Sequence, residues 1–383
     1  MIKKIFLTLL ISILVNQNVF AVTLSEALLQ AYISNPELNA ERENIQVSKE
    51  DLNISRSEFL PVVTLSGSQS EENTKKLTDR TGTNSSYTDV STKTQSIKIE
   101  QKLFQGFAGI ASIEKSKIGL SLADAKLLKA EQKILYEAIE AYLGLIFANE
   151  KVEIIQRNVN LLERQVETDQ ARLERGQITL ADLAQSESSL AGTQAKFIQS
   201  KNEKVTGKLI YEKIIGPIVD VNDLNKRSDL NFELPINLNK AIEISKKNNP
   251  VLIIAKLNYE QSEKDVIIAT ANLSPSATLS LSSTKTDDLS SSYDESDKET
   301  AKAIISWPIF KGGKNTASIN RSKNLKNRKK LLLDNALKTN NTSVASAWSN
   351  LQSSQSLLSS MKLQVSAAEI ANEGITVEYE SGL

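Results

Sequence analysis

The sequence contains an internal duplication, and this feature constrains the fold more strongly than any single motif. Residues 24–68 are repeated at 238–282 and, past a shorter loop, residues 103–113 are repeated at 309–319. Matched positions include Leu24 with Leu238, Asn35-Pro36 with Asn249-Pro250, Asp51 with Asp265, Pro61 with Pro275, and Phe104 with Phe310. We therefore predict two tandem copies of one helix-strand-strand-helix unit.

Residues 1–21 are predicted to be a secretory signal peptide. Two lysines precede an apolar run from Ile5 to Val15, and residues 19–21 (VFA) offer a small-residue cleavage site. The alternative is an uncleaved anchor, but the apolar run is well short of the ~20 residues that span a bilayer. We expect the mature protein to begin at Val22, outside the cytoplasm.

The composition argues against an enzyme, a metalloprotein and a nucleic-acid-binding protein. The chain has no His and no Cys, so it lacks the commonest general base, the commonest zinc ligands and the thiol nucleophile. Its formal net charge is +0, which gives no reason to propose nucleic acid as a partner. We predict no catalytic residue, no cofactor and no metal site. The densest acidic cluster is interpreted as a solvated loop rather than a cation site and comprises Asp287, Asp288, Asp294, Glu295 and Asp297.

Periodicity and helix-stop signals place the elements of each repeat. Ser25 is a plausible cap for a first short helix, the Asn-Pro pair stops it, and a second helix runs from about Glu37 to Glu58. A proline-free stretch then predicts a helix on the order of 100 Å long. The predicted first structural repeat is 22–216, with strands about 62–70 and 95–104, a long helix about 108–175 and a return helix about 180–215; 217–237 is a linker and 238–383 is the second structural repeat.

Two polar segments separate the strands of each predicted pair. They are residues 69–94 and 284–299, which are rich in Ser, Thr, Asp and Asn. Such a composition favours mobile, exposed loops.

The second repeat is shorter than the first. Residues 178–216, which include the return helix, have no counterpart before the sequence stops. We expect either a fragment or a truncated product, with an apolar face of the long helix after Ala317 left uncovered.

The predicted strands alternate between apolar and polar residues, so each hairpin should have one apolar and one polar face. Four strands cannot close a transmembrane cylinder, because the smallest transmembrane barrels need about eight. Further copies of the chain would supply the missing strands, two copies giving eight and three giving twelve; a soluble β-sandwich is the alternative. In a barrel, the polar residues lining the lumen would be Lys98, Glu100, Lys102, Thr278 and Ser280.

Several motifs occur together in an order typical of one protein family. They are the Asn-Pro breaks SNPELNA and NNPVLII, the strand exits LFQGF and WPIFKGG, and the helix-hairpin turn ARLERGQITLADLAQSE. In order, spacing and duplication they resemble the TolC family of outer membrane efflux proteins over nearly the whole mature chain. The resemblance implies an α+β membrane protein with long α-helical coiled-coil hairpins. Its four β-strands per chain would contribute to a trimeric 12-stranded β-barrel, continued by an α-barrel.

The resemblance also implies a function. Such a homotrimer would lie in the outer membrane lipid, with its helical part in the periplasm, and would passively conduct small molecules or drugs. It would receive them from a periplasmic adaptor (membrane fusion) protein and an inner-membrane transporter. An alternative is type I secretion of proteins or peptides. A non-pore periplasmic coiled-coil scaffold is disfavoured, since an adaptor would have a compact β domain flanking a single helical hairpin.

Two groups of residues are candidate sites by this resemblance. Gly176, Thr179 and Asp182 resemble the family's helix-hairpin tip, where adaptor contact and the periplasmic entrance are located, and Gly382 is the second-repeat counterpart of Gly176. A local role is the alternative, with Gly as a helix C-cap and Thr or Asp as first-turn residues.

Aromatic residues at the strand-to-helix exits form the second group. An aromatic belt at the lipid boundary is expected there, and packing against the helix ends is the alternative. These residues are Phe104, Phe107, Trp307 and Phe310. A basic run nearby is interpreted as a solvated helix face and comprises Lys326, Arg328, Lys329 and Lys330.

Overall fold

The computed structural model describes residues 22–78, 80–83, 85–218, 220–226, 233–290 and 293–380. The predicted signal peptide and Gly382 lie outside these residues. The chain divides into two compact units. The first unit contains the chain up to Glu43 with Leu127–Leu234, and the second contains Asn44–Lys126 with Pro235–Leu383. The second unit therefore contains residues of both sequence repeats.

The order of the elements confirms the predicted helix-strand-strand-helix duplication. The first repeat contains α1 (Leu24–Ser34), α2 (Pro36–Ser57), β1 (Val62–Thr78), β2 (Ser85–Gln105), α3 (Ala108–Glu174) and α4 (Leu180–Ile214). A short 3₁₀ helix, Val221–Asp223, follows. The second repeat contains α5 (Leu238–Asn248), α6 (Pro250–Ala271), β3 (Ser276–Ser290), β4 (Tyr293–Ser306) and α7 (Lys314–Glu380).

The Asn-Pro pairs separate the first two helices of each repeat by the same hydrogen bonding. Asn35 Oδ1 accepts from the backbone N–H of Glu37 at 3.0 Å, and Asn249 Oδ1 accepts from the N–H of Val251 at 2.9 Å. Each Asn thus caps the helix that its own proline opens.

The cap of α1 differs from the sequence-based expectation. It is Thr23 and not Ser25, and Thr23 forms a reciprocal capping box with Glu26. Glu26, three residues after Thr23, accepts a hydrogen bond from the Thr23 backbone N–H, which explains why the helix begins two residues earlier than a cap at Ser25 would allow.

The four strands form one antiparallel sheet in the order β1-β2-β3-β4. Val62 lies opposite Glu100 in the first hairpin, and the counterparts Ser276 and Ser306 lie opposite each other in the second. The duplication therefore extends to the backbone register. Because β2 pairs with β3, the two hairpins join edge to edge, and among the described residues β1 and β4 each have a single neighbouring strand.

The polar segments between the strands are not loops, which corrects the prediction. Strands β1 and β2 extend to Thr78 and from Ser85, and β3 and β4 extend to Ser290 and from Tyr293. Their polar composition indicates exposure to water, but Thr and Ser side chains also fit a pleated surface, and the cross-strand backbone bonds are satisfied. The predicted strands therefore cover only the apolar part of longer hairpins.

The first unit has a core built around two tyrosines. Tyr142 and Tyr211 are almost fully buried, with ring centroids 6.5 Å apart. The Tyr142 hydroxyl donates to the carbonyls of Val22 at 2.7 Å and Asn225 at 2.8 Å, and burial raises the pKa of Tyr211 to about 12. The buried apolar residues around them include Leu24, Ala27, Ala31, Leu38, Ile134, Ala138, Leu145, Ile215, Ile218, Val221 and Leu224.

Replacing Tyr142 with Phe should lower the free energy of unfolding by about 1.5 kcal/mol, because the hydrogen bond that its single hydroxyl proton shares between two carbonyls is lost. Tyr136→Phe is the matched control, since Tyr136 is exposed and its hydroxyl, among the residues that the structure describes, bonds only Glu140 on the same helix. We expect that change to stay within about 0.5 kcal/mol. Thermal and urea unfolding in detergent, followed by circular dichroism, measures both. Equal stabilities of the two variants would contradict the assigned role of Tyr142.

Candidate channel surfaces

The turn between α3 and α4 is closed at its first end by a Schellman motif. Gly176 has φ +71°, and its N–H donates to the Leu173 carbonyl at 2.8 Å. The next residue, Gln177, donates to the Arg172 carbonyl at 2.9 Å. These bonds satisfy two carbonyls at the end of α3, so Gly176 is the helix C-cap.

Thr179 and Asp182 close the other end of the same turn. The Thr179 N–H and hydroxyl donate to Asp182 Oδ2 at 2.8 and 2.7 Å, and the Asp182 N–H donates back to Thr179 Oγ1 at 3.3 Å. Two hydrogen bonds from Thr179 hold the pKa of Asp182 below its usual value. The bond from the Thr179 backbone N–H has the larger effect, and the bond from its hydroxyl has the smaller one. The ionised carboxylate therefore lies at the N-terminus of α4, where the helix dipole favours negative charge.

Leu180 is a tip residue that the sequence analysis did not single out. It is 71% exposed, whereas Leu183, one turn later, is buried. Leu183 is therefore shielded from water, whereas Leu180 leaves an apolar side chain in solvent. Leu180 lies three residues before Leu183, which is ordinary spacing for one helix face, so the sequence pattern alone does not distinguish the two residues.

The register of the sheet brings the five predicted lumen residues onto one face. Residues directly opposite each other in an antiparallel pair point to the same side. The pairs are Glu100 opposite Ser280 and Lys102 opposite Thr278. Lys98 lies on this face too, and its Nζ forms an ion pair with Glu100 Oε1 at 2.8 Å.

The opposite face of the sheet carries apolar side chains. Val63 lies opposite Ile99, Ile99 opposite Leu281, and Leu281 opposite Ala301, so one apolar row crosses all four strands. Val63, Ile99 and Leu281 are exposed large hydrophobic residues in the single chain. Exposed contiguous apolar surface of this kind is typical of a membrane or protein contact.

The four predicted interface aromatics lie at the ends of β2 and β4 and all remain exposed. The rings of Phe104 and Phe107 pack edge to face with centroids 5.6 Å apart. Trp307 Nε1 donates to the Leu273 carbonyl at 3.0 Å, and Phe310 is 83% exposed. Local packing therefore orients three of the rings and leaves their outer surfaces free.

The acidic cluster near the β3–β4 turn lies on the two strands and not in a loop, which corrects the prediction. Glu295 forms an ion pair with Lys285 across the hairpin. Within the described part of the chain, no three or more His, Cys, Asp or Glu side chains are grouped so that they could hold a metal ion. The helices that the structure describes also include none that is long and apolar enough to cross a membrane.

Comparison with known proteins identifies the family. A family model described as "Outer membrane efflux protein" matches residues 27–208 and 241–383. The chain belongs to the outer membrane efflux protein family. The resemblance seen in the Asn-Pro breaks and strand exits is thereby confirmed, and the relatives in this family are outer membrane channels rather than enzymes.

Individual family members are similar over most of their length. Outer membrane efflux protein BepC of Brucella suis is 25% identical over 373 residues, which cover 97% of this chain and 79% of BepC. Alkaline protease secretion protein AprF of Pseudomonas aeruginosa is 20% identical, covering 93% of this chain and 75% of AprF. The open-state MtrE outer membrane channel of Neisseria gonorrhoeae shares the fold, with a TM-score of 0.71 at 17% identity over 94% of this chain and 80% of MtrE.

Replacing Gly176 with Ala should lower the free energy of unfolding by about 1 kcal/mol, because an L-residue is strained in the left-handed region. A Cβ at Gly176 would meet no atom within 4 Å, so the backbone is the only source of this cost.

Gly192 is the matched control, since it lies inside α4, has no positive φ and also has open space around it. Gly192→Ala should instead stabilise the helix by about 0.5–1 kcal/mol. Thermal unfolding of both variants shows whether each substitution raises or lowers the melting temperature. Shifts in the same direction would contradict the capping role of Gly176.

Proposed function

We propose that three copies of this chain form a passive exit duct in the bacterial outer membrane. Small molecules or drugs would pass through it from a periplasmic adaptor and an inner-membrane pump to the exterior. One observation carries the proposal: the sheet has a polar face and an apolar face, and among the described residues its two outer strands have no second neighbour.

In this proposal several copies contribute strands to one barrel, because unpaired backbone groups are costly in lipid. An open sheet edge inside a bilayer leaves N–H and C=O groups without water or protein partners, at several kcal/mol each. One copy supplies too few strands for a barrel of about eight or more. Three copies supply twelve, and a barrel of that size leaves room for water, whereas eight strands are filled by their own side chains.

The two faces of the sheet set its orientation in such a barrel. The apolar row through Val63, Ile99, Leu281 and Ala301 would face lipid. The polar face with Lys98, Glu100 and the other lumen residues would face the water-filled passage. The aromatics at the strand ends fit the lipid–water boundary, where transmembrane barrels carry girdles of aromatic residues.

The α3–α4 tip is the proposed contact for the periplasmic adaptor. Its backbone is fixed by the Gly176 and Thr179 caps, so a partner would meet a pre-organised surface. That surface presents the exposed apolar side chain of Leu180 next to the charged carboxylate of Asp182. The helical part of the chain would accordingly lie in the periplasm, which agrees with the predicted signal peptide.

Type I secretion of proteins or peptides is the second candidate function. It is favoured by the relationship to AprF, whose name describes secretion of an alkaline protease. A soluble periplasmic scaffold fits less well, because the apolar row of the sheet would then remain in water.

Ion selectivity in planar bilayers tests the duct. Lys102→Glu replaces a positive by a negative charge on the polar face, and we expect the reversal potential in a salt gradient to shift towards cation selectivity. Lys93→Glu makes the same charge change on the same strand, but on the face that carries Ile97 and Ile99. This variant should shift the reversal potential much less. An assembled trimer without stepwise conductance would reject the duct, and equal shifts would reject the assignment of the faces.

A further inference from the structure

A groove of small-molecule size lies between α3 and α4 in the first unit, and we call it the α3–α4 groove. Its volume is about 490 Å³, which is within the ~300–1,000 Å³ of typical ligand sites. All of its lining residues belong to these two helices. The apolar part of the lining comprises Ala141, Leu145, Phe147, Ala148, Ile210 and Ile214.

Gly144 contributes no side chain to the α3–α4 groove. It lies inside α3, where glycine is less favourable than alanine, and its φ is not positive. A Cβ at Gly144 would meet no atom within 4 Å, so packing inside the chain does not require a glycine there. Phe147 and Ile210, which also line the groove, are 67% and 46% exposed. The groove thus offers apolar surface that the described part of the chain leaves uncovered.

The charged residues of the α3–α4 groove are all acidic. They are Glu137, Glu140 and Glu203, and the described residues that line the groove include no Lys or Arg. Glu203 Oε2 lies 2.6 Å from Lys151 Nζ, so a neighbouring lysine neutralises its charge. Glu140 instead accepts a hydrogen bond from the Tyr136 hydroxyl at 2.7 Å, and within the described residues it forms no ion pair. The Glu140 carboxylate is therefore oriented but not neutralised.

Glu137 shares its lysine with a closer carboxylate. Lys133 Nζ lies 3.8 Å from Glu137 Oε1 but 2.7 Å from Glu37 Oε1. The hydrogen bond to Glu37 is also the largest cause that raises the pKa of Lys133. The α3–α4 groove consequently keeps an excess of negative charge from Glu137 and Glu140.

The second repeat lacks this combination of groups. Helices α3 and α7 are both 67 residues long and begin at equivalent positions of the duplication. The equivalents of Glu137, Glu140, Gly144 and Phe147 on α7 are the small polar residues Ser343, Ser346, Asn350 and Ser353. A long helix of this fold therefore forms without the acidic and apolar groups of the groove, which indicates that these groups are not required to build it.

We propose that the α3–α4 groove binds a hydrophobic organic cation. Its apolar body would lie over Gly144 against Phe147 and Ile210, and its positive charge would lie beside Glu140. The ring of Phe147 would add a cation–π contact. The inference deepens the proposed function, on which it rests, because it names a class of small molecule that the duct would hold.

The charge at the α3–α4 groove selects a cation over other apolar ligands. An anion would meet like charge at Glu137 and Glu140, and a neutral ligand would cover these carboxylates without a compensating charge. The apolar lining lowers the local dielectric, and this strengthens the attraction between a carboxylate and a bound cation. A helix of a neighbouring copy is the competing occupant, and the experiment below separates the two.

Equilibrium dialysis against two shape-matched ions tests the proposal. Tetraphenylphosphonium and tetraphenylborate have the same four-phenyl shape and opposite charge. The full chain, isolated as the assembled protein in a neutral detergent, would be dialysed against each ion, with protein-free micelles as the blank. We expect saturable binding of tetraphenylphosphonium and no saturable binding of tetraphenylborate.

A charge variant locates the site in the groove. Glu140→Gln removes a carboxylate that no lysine neutralises and should weaken tetraphenylphosphonium binding about fivefold. Glu167→Gln is the matched control, since it makes the same change at an exposed position of α3 outside the groove. The control should leave binding unchanged.

A second variant fills the groove. Gly144→Leu should weaken tetraphenylphosphonium binding by at least about tenfold, because the new side chain takes the space of the ligand. Leucine is more favourable than glycine inside a helix, so this loss would not reflect an unfolded α3. Gly192→Leu makes the same change inside α4, where a Cβ also meets no atom within 4 Å, and should leave binding unchanged. Size-exclusion chromatography of both variants shows whether the oligomer is intact.

The outcomes separate this inference from the duct. Equal binding of the two ions, or equal effects of Glu140→Gln and Glu167→Gln, would overturn the cation site. Dissociation of the oligomer by Gly144→Leu but not by Gly192→Leu would also overturn it, since a neighbouring copy would then occupy the groove. A protein that conducts in planar bilayers but binds no tetraphenylphosphonium would overturn this inference alone. A protein that binds the cation through Glu140 but forms no channel would reject the duct and retain the site.

Discussion

Backbone hydrogen bonding at the outer strands of the sheet is the constraint on which the rest of the structure depends. β1 and β4 are 17 and 14 residues long, so each outer edge carries a long row of donors and acceptors. In water such an edge invites aggregation, and in lipid it is excluded by the cost of unpaired groups. The apolar row on one face favours lipid, and in the proposed duct the edges are therefore paired by another copy of the chain.

The strand-to-helix junctions transmit the sheet register to the helices. Gly106 and Phe107 both have positive φ and turn the chain from β2 into α3, and Gly312 and Gly313 do the same after β4. A side chain at Phe107 is strained in this region, and its edge-to-face contact with Phe104 offsets part of that cost. Because these turns are short, the strand pairing determines which residues of neighbouring helices can meet.

The architecture could be predicted from the sequence wherever it depends on local signals that occur in both repeats. The Asn-Pro breaks, the Gly176 cap and the alternation of the strands each carry their own signal, and the duplication fixes their order. Pairing between β2 and β3 could not be predicted, because it depends on which hairpin edge meets which. The long polar ends of the hairpins were expected to be loops, since Ser and Thr favour turns as well as exposed strands. Leu180 was missed because only burial distinguishes it from Leu183.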